Sequence, residues 1–268
     1  MVDDFSIDRD AWAKPKPFGI SGCFRLRNES EYMEAAVLSH LPYLDEAVLV
    51  VQPSDDDTVE RAHKLADEHA KVNVYLYPFM VDWIGTEGFY QKDMNAPGHL
   101  VHMSNWALTR CRYSWIAKTE GDVICLSSFQ RIVDLVHEFQ ERMHYYGRYI
   151  LNIAGKDHDL ISLENPRNGG DDEAGFRNHP HYSFTRSGKW EDITAGPRAA
   201  IGWSALHTKR CKRKHWDGWN GETWIPWTRE NVRFALEKFN RWRIPYWGQD
   251  DPLGAEVLYE ETLITEAK

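Results

Sequence analysis

The stretch WIAKTEGDVICL, Trp115 to Leu126, places two carboxylates on either side of a glycine between two apolar runs. Carboxylates spaced two apart on an extended segment project to the same side, where they can ligate a hard cation or take up a proton. The same triplet also fits a solvated turn, since lone carboxylates usually sit in water. What Glu120 and Asp122 do therefore depends on the chain around them. Three other groups raise the same question: the SDDDT run with Asp55 to Asp57, the NGGDDE run with Gly169, Gly170, Asp171, Asp172 and Glu173, and His207 at the head of HTKRCKRKHW. The aspartates after Ser54 also suit a helix cap.

The elements that must position these groups follow from hydrophobic spacing. A strand is expected over about Phe18 to Phe24, then a polar turn, then a helix with Met33, Ala36, Val37 and Leu41 on one face. Ala47 to Val51 reads as a buried strand ending in Pro53 and the aspartates. The helix DTVERAHKLADEHA comes next, with an aspartate or Thr58 as its cap, and VNVYLYPF is a further strand. This β-α-β-α-β order predicts an α/β fold with a mostly parallel sheet covered by helices. Ligands of such sheets bind beyond the carboxyl ends of the strands, and the Arg25–Asn28 turn and the aspartates both fall there. Residues 81–100 read as a loop, HLVHMSNWALTRCR as a helix and YSWIAK as a strand, which puts the E-G-D triplet on the same rim. FQRIVDLVHEFQERMHYY predicts an amphipathic helix, RYILNI a strand, residues 155–190 a long functional or mobile loop, AAIGWSALHTK a strand and TRENVRFALEKFNRW a late helix.

With 268 residues, 42% of them hydrophobic, the chain fits one large domain or a domain with an appendage, with enough apolar content for a sizeable core. No apolar run approaches the roughly 18 residues of a membrane span. The N-terminus MVDDFSIDRDAW is acidic where a signal peptide is basic and then apolar, so a soluble, cytoplasmic protein is expected. Cys23, Cys111, Cys125 and Cys211 are widely separated, without the close pairs of zinc or redox motifs, and read as buried small hydrophobes. The net charge of −9 argues against indiscriminate nucleic-acid binding. HTKRCKRKHW is the local exception, and twelve tryptophans, many in the last third, offer faces for sugar rings or bases.

Taken in order, RNE after the first strand, DEAVLVVQPSDDDT, WALTRCRYSWIAKTEGD, NGGDD and the histidine of HTK resemble the inverting glycosyltransferases of the GT-A fold, family-2-like, over about Phe18 to Lys212. The resemblance implies a Rossmann-like, mixed and mostly parallel sheet in a GT-A domain over residues 1–212. A Trp-rich helical extension, 213–268, is expected to pack on the acceptor side. It implies that Glu120 and Asp122, as an E-x-D variant of D-x-D, hold Mn²⁺ or Mg²⁺ on the donor diphosphate, with Asp122 as the direct ligand and His207 completing the shell. Imidazole tilts the choice to Mn²⁺. Arg27, Asn28, Glu29, Asp55, Asp57, Lys118, Glu120, Gly169 and Gly170 are the implied donor-binding residues. Asp172 is the implied base, with Asp171 and Glu173 as alternatives. Two departures stand out: Gln52 replaces an aspartate common at the end of the second strand, and FRNHPHY lacks the usual second acidic pair. The implied donor is a UDP-sugar, with GDP-sugar as the other choice, and the implied acceptor a glycan or other hydroxyl compound. A hydroxymethylated DNA base is an alternative acceptor, and an inactive sugar- or nucleotide-binding module an alternative function.

Overall fold

The computed structural model describes residues 5–127, 129–138, 145–154, 160–162, 167–168, 174–188, 190–194, 199–210, 212, 224–226, 228 and 230–231. The first half alternates strands and helices: α1 (Arg9–Trp12), β1 (Ile20–Leu26), α2 (Met33–His40), β2 (Glu46–Val51), α3 (Thr58–Glu68), β3 (Val72–Leu76), α4 (Glu87–Gln91), α5 (Leu100–Arg110), β4 (Trp115–Glu120), β5 (Val123–Cys125) and α6 (Phe129–Glu138). The second half is mostly strand: β6 (Tyr145–Ala154), β7 (Leu160–Ser162), β8 (Arg167–Asn168), β9 (Ala174–Arg177), β10 (Phe184–Ser187), β11 (Trp190–Ile193), β12 (Ala199–Arg210) and β13 (Trp224–Pro226).

All six residues of β2 are buried, as an apolar run covered on both faces requires. The main sheet runs β13-β7-β6-β9-β4-β1-β2-β3, with β12 against β5 and β6 and with β8 against β6. Its longest registers are parallel: β1 with β2 and with β4, β2 with β3, and β6 with β12. β9 lies antiparallel between β4 and β6, so the sheet is mixed and mostly parallel, as expected.

Alternation along β1 and β4 feeds two cores. Phe24, Leu26 and Ala117 join Met33 and Val37 of α2, Ala62 and Leu65 of α3, and Phe129, Ile132 and Val136 of α6. Cys23, Val48 and Ile116 pack on the other face with Met103, Trp106 and Ala107 of α5 and with Phe184 and Ile193 of the β10–β11 hairpin. The apolar spacing of three and four residues in α6 explains its one-sided burial. Asn105 ties the hairpin down, donating from Nδ2 to the Phe184 carbonyl at 2.9 Å and accepting the Phe184 N–H on Oδ1 at 2.7 Å.

Several expectations need adjustment. The loop of residues 81–100 contains α4, whose first turn is capped by the Thr86 hydroxyl. Residues 155–190 supply the short strands β7 to β10, of which β7, β8 and β9 enter the main sheet, because paired edges satisfy backbone groups that an isolated loop would leave to water. Asp57 occupies the N-cap position of α3 without making a side-chain cap. Its carboxylate instead accepts from Arg61 Nε at 2.7 Å. Cys23, Cys111 and Cys125 are buried, as expected. Trp224–Pro226, from the segment expected as an extension, pairs with β7; most of residues 213–268 lies outside the described residues.

Candidate metal and nucleotide site

Parallel strands end on a common edge, so β1, β2 and β4 deliver three turns to one rim. The first two turns are clasped together. Asn28, at φ 55° in the left-handed region that asparagine tolerates, accepts the Asp55 N–H on Oδ1 at 2.8 Å. Its own N–H donates to Ser54 Oγ at 3.2 Å. The Glu29 N–H donates to Thr58 Oγ1 at 2.8 Å, and Asp56 Oδ2 accepts the Ser30 N–H at 3.2 Å. These bonds fix where Glu29 emerges.

The third turn needs the glycine between its carboxylates. A Cβ on Gly121 would lie 2.7 Å from Leu26 Cδ2 and 2.8 Å from Glu29 Cγ, so only glycine lets the E-G-D turn close on the first turn. After the turn, β5 runs antiparallel to β12 with Val123 opposite His207. Thr208 donates from both its N–H and its hydroxyl to the Asp122 carbonyl, each at 2.8 Å. Strand pairing therefore brings a histidine 85 positions further along the chain beside Asp122.

The result is a compact donor set. Ligand atoms of Glu120, Asp122 and His207 lie within 4.8 Å of one another. His207 Nε2 is 3.4 Å from Asp122 Oδ1 and 3.8 Å from Glu120 Oε2. Asp122 and His207 are buried, at 3% and 4% exposure, so Asp122 is not a solvated turn residue. Two carboxylates and one imidazole suit a divalent cation. The residues fit the implied metal.

A residue that the sequence analysis did not single out completes the cluster. Lys212 donates from Nζ to Asp122 Oδ2 at 2.6 Å and to Glu29 Oε2 at 2.7 Å. Burial works against the Asp122 carboxylate, but His207 and then Lys212 outweigh it and hold the group well below the usual carboxylate range. Burial would likewise lower Lys212, yet Asp122 and Glu29 raise it. Glu29 goes the other way: burial and the neighbouring Asp122 charge outweigh Lys212 and push its carboxyl up to about 7. The only sequence signal for Lys212 was its place in a basic run five residues beyond His207.

Other expected donor-binding residues divide by position. Arg27 is half-buried next to the clasp, and its Nε has no hydrogen-bond partner among the described residues. Asp55 faces Asn28, whereas Asp57 is exposed with Arg61. Lys118 is not at the rim surface: it is buried, with Nζ 5.9 Å from the centroid of the Phe184 ring. Below the hairpin, Arg25 Nη1 donates to Glu191 at 2.7 and 2.9 Å, and Ser104 bonds to the same carboxylate. Gln52, the departure noted at the end of β2, is 1% exposed, and neither its Oε1 nor its Nε2 has a partner among the described residues. Gly169, Gly170, Asp171, Asp172 and Glu173 lie outside the described residues.

The three-layer order, with parallel β3-β2-β1-β4 followed by antiparallel β9 and an acidic turn after β4, is the mixed, mostly parallel arrangement that the GT-A resemblance implies. Among solved structures the chain is similar to S. aureus TarS 1-349 in complex with UDP-GlcNAc, with a TM-score of 0.48 and 12% identity over 91% of this chain and 71% of that one. It is also similar to glucosyl-3-phosphoglycerate synthase from Mycobacterium tuberculosis in complex with Mn²⁺, UDP and glucosyl-3-phosphoglycerate. There the TM-score is 0.45, with 14% identity over 75% of each chain. No family model and no curated protein matches the chain.

Proposed function

We propose that this protein is a metal-dependent inverting glycosyltransferase that moves a sugar from a nucleotide-sugar donor, a UDP-sugar before a GDP-sugar, to a hydroxyl of a glycan acceptor. The observation that carries this reading is the convergence of Glu120, Asp122 and His207 within 4.8 Å on the rim where β1, β2 and β4 end. A divalent cation bound there, Mn²⁺ before Mg²⁺, neutralises the charge that grows on a departing nucleoside diphosphate. Asp122, Glu120 and His207 hold that cation. The clasped turns carrying Arg27, Asn28 and Asp55 present polar groups to the nucleotide beside it. Asp172, which the sequence resemblance implies, takes the proton from the acceptor hydroxyl as that oxygen attacks opposite the leaving group.

Among the described residues no helix is long and apolar enough to cross a membrane, which is compatible with the cytoplasmic, soluble protein we propose. Residues 1–212 form the catalytic domain in this reading, and 213–268 add to it on the acceptor side. The test is a donor-hydrolysis screen across nucleotide sugars with Mn²⁺ and with Mg²⁺, since slow hydrolysis needs no knowledge of the acceptor. We expect one donor to be hydrolysed only with a divalent cation, and Asp122→Asn to lose both this activity and cation-dependent binding of the nucleoside diphosphate in calorimetry. A variant that kept cation-dependent affinity would show that Asp122 holds no cation and that its buried carboxylate serves the packing of the rim alone.

A further inference from the structure

Asp122 accepts from Lys212 Nζ on Oδ2 at 2.6 Å, and its Oδ1 lies 3.4 Å from His207 Nε2. The ammonium bridges Asp122 to Glu29 at 2.6 and 2.7 Å, and Lys212 itself is only 3% exposed. A buried ammonium in contact with a carboxylate does for that carboxylate what a metal does: it supplies positive charge inside a poorly screened site. It cannot remain in place at no cost beside a divalent cation on the same carboxylate, because two cations a few ångströms apart repel strongly there.

From this geometry we infer that Lys212 is the resident counter-cation of the metal-free site, and that a divalent cation binds Asp122 only by displacing it. The inference rests on the metal reading above and goes beyond it by assigning a residue that opposes metal loading. The arrangement has two consequences. Without a cation, Lys212 keeps Glu29 and Asp122 from repelling one another, so the rim is already assembled. Once released, its positive charge remains next to the rim, where an incoming diphosphate gives it a new partner. Cation and diphosphate therefore load together, each favouring the other by the same factor.

Two measurements with Mn²⁺ alone test this. The first is amine labelling of the wild-type protein followed by peptide mass spectrometry. Lys212 should be protected in chelator and become reactive as Mn²⁺ saturates. The second is Mn²⁺ affinity from the spin-resonance signal of the free ion. Lys212→Gln, which retains a hydrogen-bond donor for the carboxylates, should bind Mn²⁺ at least about tenfold more tightly than wild type, given the size of a unit charge's repulsion at such distances. If Mn²⁺ binds while Lys212 stays protected, or if Lys212→Gln binds no more tightly, the displacement is overturned and the metal site stands. If neither protein binds Mn²⁺, this inference falls together with the metal reading. The labelling arm uses unaltered protein, so poor folding of the variant leaves the question answerable.

Discussion

Charge placement at single residues makes two predictions. The Glu29 carboxyl is raised to about 7 by burial and the neighbouring Asp122 charge. Relative to an unfolded value of 4.5, the folded chain keeps a proton that the unfolded chain has released. Stability in chelator should therefore fall as pH rises from about 4.5 to about 7, because over that window the native state binds more protons. Glu29→Gln should flatten this part of the profile, as read from denaturant midpoints at each pH; an unchanged slope would assign it to other groups. The base makes the second prediction. Asp172→Asn should retain donor affinity and lose turnover by about 10²- to 10⁴-fold, the usual cost of removing a general base. Asp171→Asn and Glu173→Gln share the run and serve as controls. Should either control lose more activity than Asp172→Asn, the proton goes to the neighbouring carboxylate.

Elements deliver these residues, and Gly121 is where three of them meet. Added bulk there collides with Leu26 at the end of β1 and with Glu29 in the turn after it. Gly121→Ala should cost about 1–3 kcal/mol, the usual range for overpacking a tight contact, and should weaken Mn²⁺ binding because Asp122 is displaced from His207. A normal melting temperature with normal Mn²⁺ affinity would show that the turn yields freely. The glycine, the carboxylates and their strand were legible in the sequence, because a buried strand is a continuous apolar run and its interruption stands out. β9 was not: Ala-Gly-Phe-Arg carries no period, and only the space between β4 and β6 makes it a strand. Lys212 was illegible for a related reason. Its partners lie 183 and 90 positions away, and a basic run describes its own neighbours, not the carboxylates that folding brings to it.

Across the whole molecule, the two cores and the parallel half of the sheet follow from local spacing, while the site follows from where strands stop. The β-α-β order put the three turns on one edge before any distance was known, whereas His207 beside Asp122 required the pairing of β12 with β5. Not all of this architecture is at its stability optimum. Gln52 stands just beyond the buried apolar run Ala47 to Val51, with both of its amide atoms shut away from water and unanswered among the described residues. A buried amide in that state costs about 1–3 kcal/mol. Gln52→Met, similar in length and without hydrogen-bonding groups to satisfy, should return much of that and raise the melting temperature by about 2–4 °C per kcal/mol recovered. Calorimetry of the two proteins decides it, a lower transition in the variant showing that the amide is satisfied after all. The free protein thus carries a fixed debit in heat tolerance at one named position, and one side chain is enough to remove it.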